Sequence, residues 1–592
     1  AIALDINSDQ RNDLLVFNED TLKKIYYDFE PSYNSGTGAI TYDFSTETKN
    51  SLLSDNVHMG DFDGDGIFEL VFPDDNKHLC FVTAGKPGKI ISSVTNGMGI
   101  ESRYYYKPLT NSNVYTKESN ASYPVMDFSA PWYVVSSVSS DNGVADSSFV
   151  EYDYQGAKIH LLGKGFLGFM KTTIENDLLN TSQISTSSYD SVFFHTYPLS
   201  ATQKVGTQNV QISTNYTNVD SINTYKYRLE TDSVKVQDLL RNTTTITSFS
   251  YNTDGLVSEK ESDVNGEATI IEKYAYTNAG WHVDYLPVSM VRKYDRDGSH
   301  ESDSAVYTYN SSNGNLTKKK AYCGTDRELT TTYRNYDSYG NPRTTATSGK
   351  MGPSLSIDSV ETTMTYSTYG RFLKSKSGPL NHKETFDFDA GTGVPESKTG
   401  VNRKETSYEY GPFNRLKKTT HPDKIEELTA LSFTDDNTDD KPSGALYYKW
   451  NSISSSPPIR TFYDAVGREL RTVTVGFDDE SIYVDTEYDS KGRMKRKSNP
   501  YFSTGTAYWN RTTYDSYGRT DSIISADTTI TTYSYTNLTT TVTTKKGSTT
   551  TTTKQTINAL GETEESEDNM NNKVYHSYYP DGKLKESYVS TH

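Results

Sequence analysis

Short runs in which threonine and tyrosine alternate with polar residues recur through the C-terminal two thirds of the chain. Examples are Thr331-Thr332-Tyr333, Arg511-Thr512-Thr513-Tyr514 and Thr531-Thr532-Tyr533-Ser534-Tyr535. A period of two carried by β-branched and aromatic residues predicts extended, half-buried strands. Between the runs stand compact turn signals. In Tyr488-Asp489-Ser490-Lys491-Gly492-Arg493, an aspartate can accept a hydrogen bond from the backbone two residues on, and a glycine four residues after the tyrosine supplies the positive φ a tight turn needs. Each unit therefore reads as strand, turn, strand. The Thr-rich stretch from Thr528 to Thr556 keeps the same alternation and is read as more strands of this sheet rather than as low-complexity linker.

The unit repeats. Its clearest copies are Tyr336-Asp337-Ser338-Tyr339-Gly340-Asn341, Tyr463-Asp464-Ala465-Val466-Gly467-Arg468, Tyr488 to Arg493 and Tyr514-Asp515-Ser516-Tyr517-Gly518-Arg519, the last three starting 25 and 26 residues apart. Looser copies begin at Tyr251, Tyr294, Tyr366 and Tyr579. A lone hairpin is marginal in water, but an array buries each flank against its neighbour, so the period predicts a stacked sheet. The turn residues of the four clear copies are assigned structural roles. Gly492→Val is expected to strain its turn, and Arg493→Lys to matter little.

Composition narrows the picture. Hydrophobic residues make up 33% of 592, a figure that already includes 47 tyrosines. A thin sheet with two wet faces accounts for this, because the tyrosine ring packs while its hydroxyl meets water. The formal net charge of −18 argues against a nucleic-acid partner, which wants a concentrated basic face. Cys80 and Cys323 form neither a zinc spacing nor a disulfide framework and are read as unpaired. No apolar run approaches the ~20 residues of a membrane-spanning helix. The abrupt opening Ala1-Ile2-Ala3-Leu4 suggests a fragment of a longer protein.

Two N-terminal segments place oxygen ligands at alternating positions. Asp61, Asp63, Asp65 and Glu69, with the carbonyl of Ile67, form a cage suited to Ca2+, and Gly66 allows the reversal. Asp5, Asn7, Asp9 and Asp13, with the carbonyl of Arg11, repeat the spacing with Gln10 in place of the glycine. The flanks are β-rich, which disfavours an EF-hand. The 56-residue offset suits successive propeller blades. These loops resemble the FG-GAP/VCBS repeats of integrin-type propellers, which implies a structural Ca2+ that pins blade loops.

Residues 86–200 carry neither signature but contain Asn96-Gly97-Met98-Gly99 and Gly163-Lys164-Gly165-Phe166-Leu167-Gly168-Phe169. Calcium loops, these two elements and then tyrosine-aspartate repeats, in that order, resemble the B component of bacterial Tc toxins and SpvB-like relatives. The resemblance implies an all-β chain: a partial FG-GAP-like β-propeller (1–85), a β-rich linking region (86–200) and a spiral Rhs/YD-repeat β-sheet (201–592) forming part of a hollow shell. It further implies a secreted bacterial protein that encloses a toxic effector polypeptide together with other toxin-complex subunits. Two departures limit the transfer. The Asp-Pro pair of the family's autoprotease signature occurs nowhere, and no non-repeat domain follows Gly582 before His592.

Catalytic patterns are missing: there is no His-Glu-x-x-His, no Gly-x-Ser-x-Gly and no phosphate loop, so the chain is read as non-catalytic. Asp435-Asp436-Asn437-Thr438-Asp439-Asp440 reads as an acidic surface insertion, and Trp132, Trp281, Trp450 and Trp509 as scaffold. The alternative function is an extracellular YD-repeat adhesion or carbohydrate-binding protein.

Overall fold

The computed structural model of the chain describes residues 90–589 except 144–146, 224–225, 278–285, 351, 353 and 436. Before residue 90 it describes Asp61 and the backbone of seven strands. The calcium-loop residues Asp5, Asn7, Asp9, Arg11, Asp63, Asp65 and Ile67 lie outside the described residues, as does Trp281. Asp13 opens the strand Asp13–Asn18 and Glu69 the strand Glu69–Pro73, each described as backbone only. The described chain is β-structure with two single 3-10 turns, Pro379–Asn381 and Pro412–Asn414. It divides into two units, Ala1–Pro198 and Leu199–His592.

In the first unit the long strand Ser147–His160 is the organiser. It pairs antiparallel with Tyr133–Asp141, Gly165–Asn176 and Val125–Asp127, and parallel with Tyr115–Thr116. The segment from Leu109 to Phe128 folds over this strand and gives the unit a true core of Leu109, Val114, Tyr115 and Ala157, backed by Phe128, Val134, Tyr154 and Phe169. Gly168 lies where the pairing skips a residue, with φ +100, so Phe166 and Phe169 reach one another at 5.4 Å although three residues apart. In a regular strand they would point to opposite faces.

The second unit is a ribbon. From Gln208–Asn223 to Leu584–Val589 each strand pairs antiparallel with the next in sequence. The one irregularity is Ser481–Tyr488, which pairs with both Met494–Ser498 and Tyr501–Phe502, after which Met494–Ser498 pairs with Trp509–Tyr514. Sequential pairing makes the turns alternate between two edges, and the tyrosine-aspartate turns all fall on one of them, hereafter the motif edge. Buried hydrophobic side chains are few among the described residues, in keeping with a single layer. The main exception is Ala445, Phe462 and Val473, packed by Tyr448, Leu470 and Tyr483.

That cluster lies where the acidic surface insertion folds back over the sheet. The Asp440 carboxylate bonds to Arg460, the Tyr483 hydroxyl and the Ser481 hydroxyl, while Arg471 donates to the Asp440 carbonyl at 3.1 Å and grips Asp485 through two nitrogens at 2.6 and 2.8 Å. Burial and the Asp440 carboxylate push the Tyr483 hydroxyl up to about 12, and burial with Asp485 does the same for Tyr501.

Candidate functional site

The motif has a division of labour that repeats from turn to turn. Asp489 Oδ1 accepts the backbone N–H groups of Lys491 and Arg493, at 3.0 and 2.9 Å, and its Oδ2 accepts Arg493 Nε at 2.9 Å. Asp464 and Asp515 make the same three bonds, to Val466 and Arg468 and to Tyr517 and Arg519. At Asp337 the fourth residue on is Asn341, whose side-chain amide replaces the guanidinium at 3.1 Å. Burial opposes the charge on Asp489, but the bonds from Arg493 and Lys491 outweigh it and hold the carboxyl below its ordinary range. Gly340, Gly467, Gly492 and Gly518 all take φ between +77 and +87, a region L side chains resist.

Tyrosine links each unit backward. The hydroxyls of Tyr488, Tyr514 and Tyr535 donate to the carbonyls of Glu469, Met494 and Thr520, at 2.9, 2.8 and 2.9 Å, and Tyr336 does so to Leu316. Tyr251, Tyr309, Tyr366 and Tyr578 repeat the contact. Burial raises the Tyr488 and Tyr514 hydroxyls, which keeps them protonated as donors. Tyr463 instead stacks on Tyr447 at 5.1 Å. Arginine links each unit forward: the guanidinium of Arg468 lies over the ring of Tyr488 at 4.8 Å, Arg493 over Tyr514 at 4.2 Å and Arg519 over Tyr535 at 4.3 Å. Arg493 therefore holds two partners at once, so its replacement by lysine is expected to cost more than the sequence alone suggests.

Several repeat tyrosines also sit where the strand pairing skips one residue. At Tyr366, Tyr463, Tyr488 and Tyr514 the partner strand carries an extra, unpaired position. A bulge bends its strand and adds twist, so its recurrence bends the ribbon repeatedly in one sense.

Two looser copies are corrected. Tyr294-Asp295-Arg296-Asp297-Gly298 has the spacing but not the turn: Asp297 and Gly298, both with positive φ, make a two-residue hairpin on the opposite edge. In the last copy the motif tyrosine is Tyr578, one residue before the Tyr579 read from sequence, because Gly582 N–H bonds to the Tyr579 carbonyl as Gly492 N–H does to Asp489. The sequence reading also missed a turn of the same kind in the first unit. Asn96 Oδ1 accepts the N–H groups of Met98 and Ile100, and Gly99 has φ +80. An asparagine two residues before a backbone donor was the available signal.

The ribbon meets itself. Arg296 Nη1 bonds Glu562 Oε2 at 2.6 Å, Glu267 Oε2 accepts the Ala559 N–H at 3.0 Å, and the Tyr517 hydroxyl reaches Gln208, across 266, 292 and 309 residues. Arg296 also lies 5.6 Å from the Tyr578 ring centroid. Gln208, Glu267 and Arg296 lie at turns of the opposite edge, whereas Tyr517, Ala559 and Glu562 lie at motif-edge turns. One edge of an earlier stretch of sheet is thus sealed against the other edge of a later one, which is the geometry of a spiral.

Among the described residues no group of three or more His, Cys, Asp or Glu side chains is placed to hold a metal. No described helix is long and apolar enough to cross a membrane, which says nothing of a strand-built crossing. Cys323 is a free thiol.

Comparison with known proteins adds two findings. The family pattern for the insecticide toxin TcdB middle/N-terminal region matches residues 28–199. Over that stretch the chain is similar to the middle/N-terminal region of the insecticide toxin TcdB. Its fold is similar to the crystal structure of TcdB2-TccC3-TEV, with a TM-score of 0.68 at 11% identity over 98% of this chain and 43% of that one. The TcdB2-TccC3 crystal structure gives 0.62 at 12% identity, over 99% and 41%. The Photorhabdus luminescens Tc holotoxin pore gives 0.61 at 11%, over 99% and 42%. The chain thus spans less than half the length of these structures. No curated protein sequence matches it.

Proposed function

We propose that the chain is the wall of a Tc-type toxin shell: a non-catalytic, secreted bacterial protein whose repeat sheet encloses an effector polypeptide, assembled with other toxin-complex subunits. The observation that supports this most directly is the seam of Arg296, Glu267 and Gln208 against Glu562, Ala559 and Tyr517. A flat ribbon would leave its edges open to other strands, whereas a ribbon sealed edge to edge becomes a continuous wall. The mechanism is steric. The wall separates an unfolded passenger from solvent and proteases without any bond being made or broken by this chain. In the N-terminal loops Asp5, Asn7, Asp9, Asp13, Asp61, Asp63, Asp65 and Glu69, with the carbonyls of Arg11 and Ile67, would hold Ca2+ as oxygen ligands and stiffen that region.

The test is protease protection of an effector co-expressed with the chain and its shell partners. The intact chain is expected to protect. Arg296→Glu, which sets a carboxylate against Glu562, is expected to expose the effector. Equal digestion with and without the chain would refute enclosure.

A further inference from the structure

The turn after Tyr410 keeps the geometry of the repeat but loses its acid. Tyr410-Gly411-Pro412-Phe413-Asn414-Arg415 aligns with Tyr463-Asp464-Ala465-Val466-Gly467-Arg468, and Gly411 N–H bonds the Arg415 carbonyl at 2.8 Å as Asp464 N–H bonds Arg468 at 3.0 Å. Asn414 takes the left-handed place of Gly467, with φ +57. Arg468, however, is held by Asp464 Oδ2 at 2.7 Å, whereas the residue facing Arg415 from that position is a glycine. The guanidinium rests instead 5.8 Å from the ring centroid of Phe413. Phe413 is 91% exposed and itself adopts φ 59, ψ 27, a conformation that asparagine and glycine take far more readily.

Beside this turn lies a groove of about 420 Å³. Phe413, Leu416 and Leu431 supply its apolar surface, all three exposed, and Arg415, Lys417 and Lys449 supply its charge. No carboxylate lines it, and among the described residues none of these three cations is in an ion pair, although the neighbouring Lys418 contacts both Glu409 and Glu426. In a chain of formal charge −18, three uncompensated cations around an apolar patch are a local reversal of sign. The groove also lies on the sheet face opposite the acidic insertion. Leu431 pairs with Lys449 on one face, whereas Trp450 and Tyr448, on the other, pair with Arg460 and Phe462 beneath the insertion.

We propose that this groove binds an extended segment of a partner polypeptide in which carboxylates alternate with large apolar side chains. A guanidinium freed of its aspartate can take a carboxylate through two parallel bonds, the lysines add point charges along the same track, and Phe413, Leu416 and Leu431 receive the apolar side chains between them. The inference deepens the enclosure reading and rests on it in one respect, that a partner polypeptide lies against the sheet.

The test uses the full chain and fluorescently labelled decapeptides: alternating Glu and Phe, alternating Lys and Phe, and alternating Glu and Ser. Fluorescence anisotropy is expected to show saturable binding of the Glu-Phe peptide alone, weakened by salt. Arg415→Gln combined with Lys417→Gln is expected to weaken it at least about tenfold, the loss of one charge-assisted bond. Phe413→Asn, which suits the left-handed backbone, should weaken binding while thermal unfolding stays unchanged. Equal binding of the Lys-Phe peptide, equal binding of the Glu-Ser peptide, or full affinity in either variant would overturn the proposal. Equal digestion of the effector with and without the chain, with peptide binding intact, counts against enclosure alone. Peptide indifference with protection intact counts against the groove alone.

Discussion

The two units hold themselves together by different means. The first has an interior: Lys158, only 2% exposed, is held by Glu118 at 2.9 Å, by Asp127 and by Asn120 beneath the folded-over segment, beside Leu109, Val114 and Ala157. The second is held by a relay of surface-level contacts, each joining a unit to the one before and the one after. A core concentrates stability in a few side chains; a relay spreads it so that no single link decides the fold.

Substitutions can break or sharpen that contrast. The largest effect is expected for Lys158→Met, which leaves Glu118 and Asp127 facing each other without their cation and should cost about 3–5 kcal/mol, read as an earlier thermal transition of the first unit. Phe462→Ala removes the one fully buried ring among the described residues of the second unit, at about 3–5 kcal/mol. Its effect should stay local, with faster hydrogen exchange confined to strands near the acidic insertion. Gly492→Val forces a β-branched residue to φ +77 and sets its Cβ 3.0 Å from the Arg468 guanidinium, an expected loss of about 1–3 kcal/mol. Arg493→Lys, which gives up the Nε bond to Asp489 and the planar stack on Tyr514, should cost about 1 kcal/mol, and no change would show the relay to be decorative.

Acidity tests the same contrast from both ends. Asp489 and Asp127 have folded-state values below their unfolded ones, so the stability they contribute is present above pH ~4 and is lost as pH falls through the depressed values. Tyr483 and Tyr501 are raised to about 12. Their contribution is complete below pH ~10 and is lost as pH climbs toward that value, so alkaline unfolding should begin at the insertion. Tyr483→Phe should flatten that alkaline slope.

What was legible in the sequence was what the backbone does within six residues. Asp489, Gly492 and their equivalents announce a turn because every bond of that turn lies between i and i+4. The same reasoning failed at Tyr294, where Asp297-Gly298 competes as a tighter hairpin, and slipped by one residue at Tyr579. Nor could it find the second jobs of the motif residues. That the Tyr514 ring would stack beneath Arg493, or that Asp440 would cross three strands to reach Tyr483, depends on register between strands. Arg296 and Glu562 are joined only through the curvature of the whole repeat sheet. The orphaned Arg415 was visible as a glycine in place of an aspartate, but its meaning required knowing what Asp464 does for Arg468.

The skipped position at the repeat tyrosines has a consequence for how such a spiral sheet can change size. Because bending arrives in hairpin-sized increments, the circumference can grow or shrink only by whole hairpins. Deleting one would carry Glu562 past Arg296 to face a different neighbour altogether. The size of a turn is therefore selected in steps, and each step must bring its own fitting charges to the join.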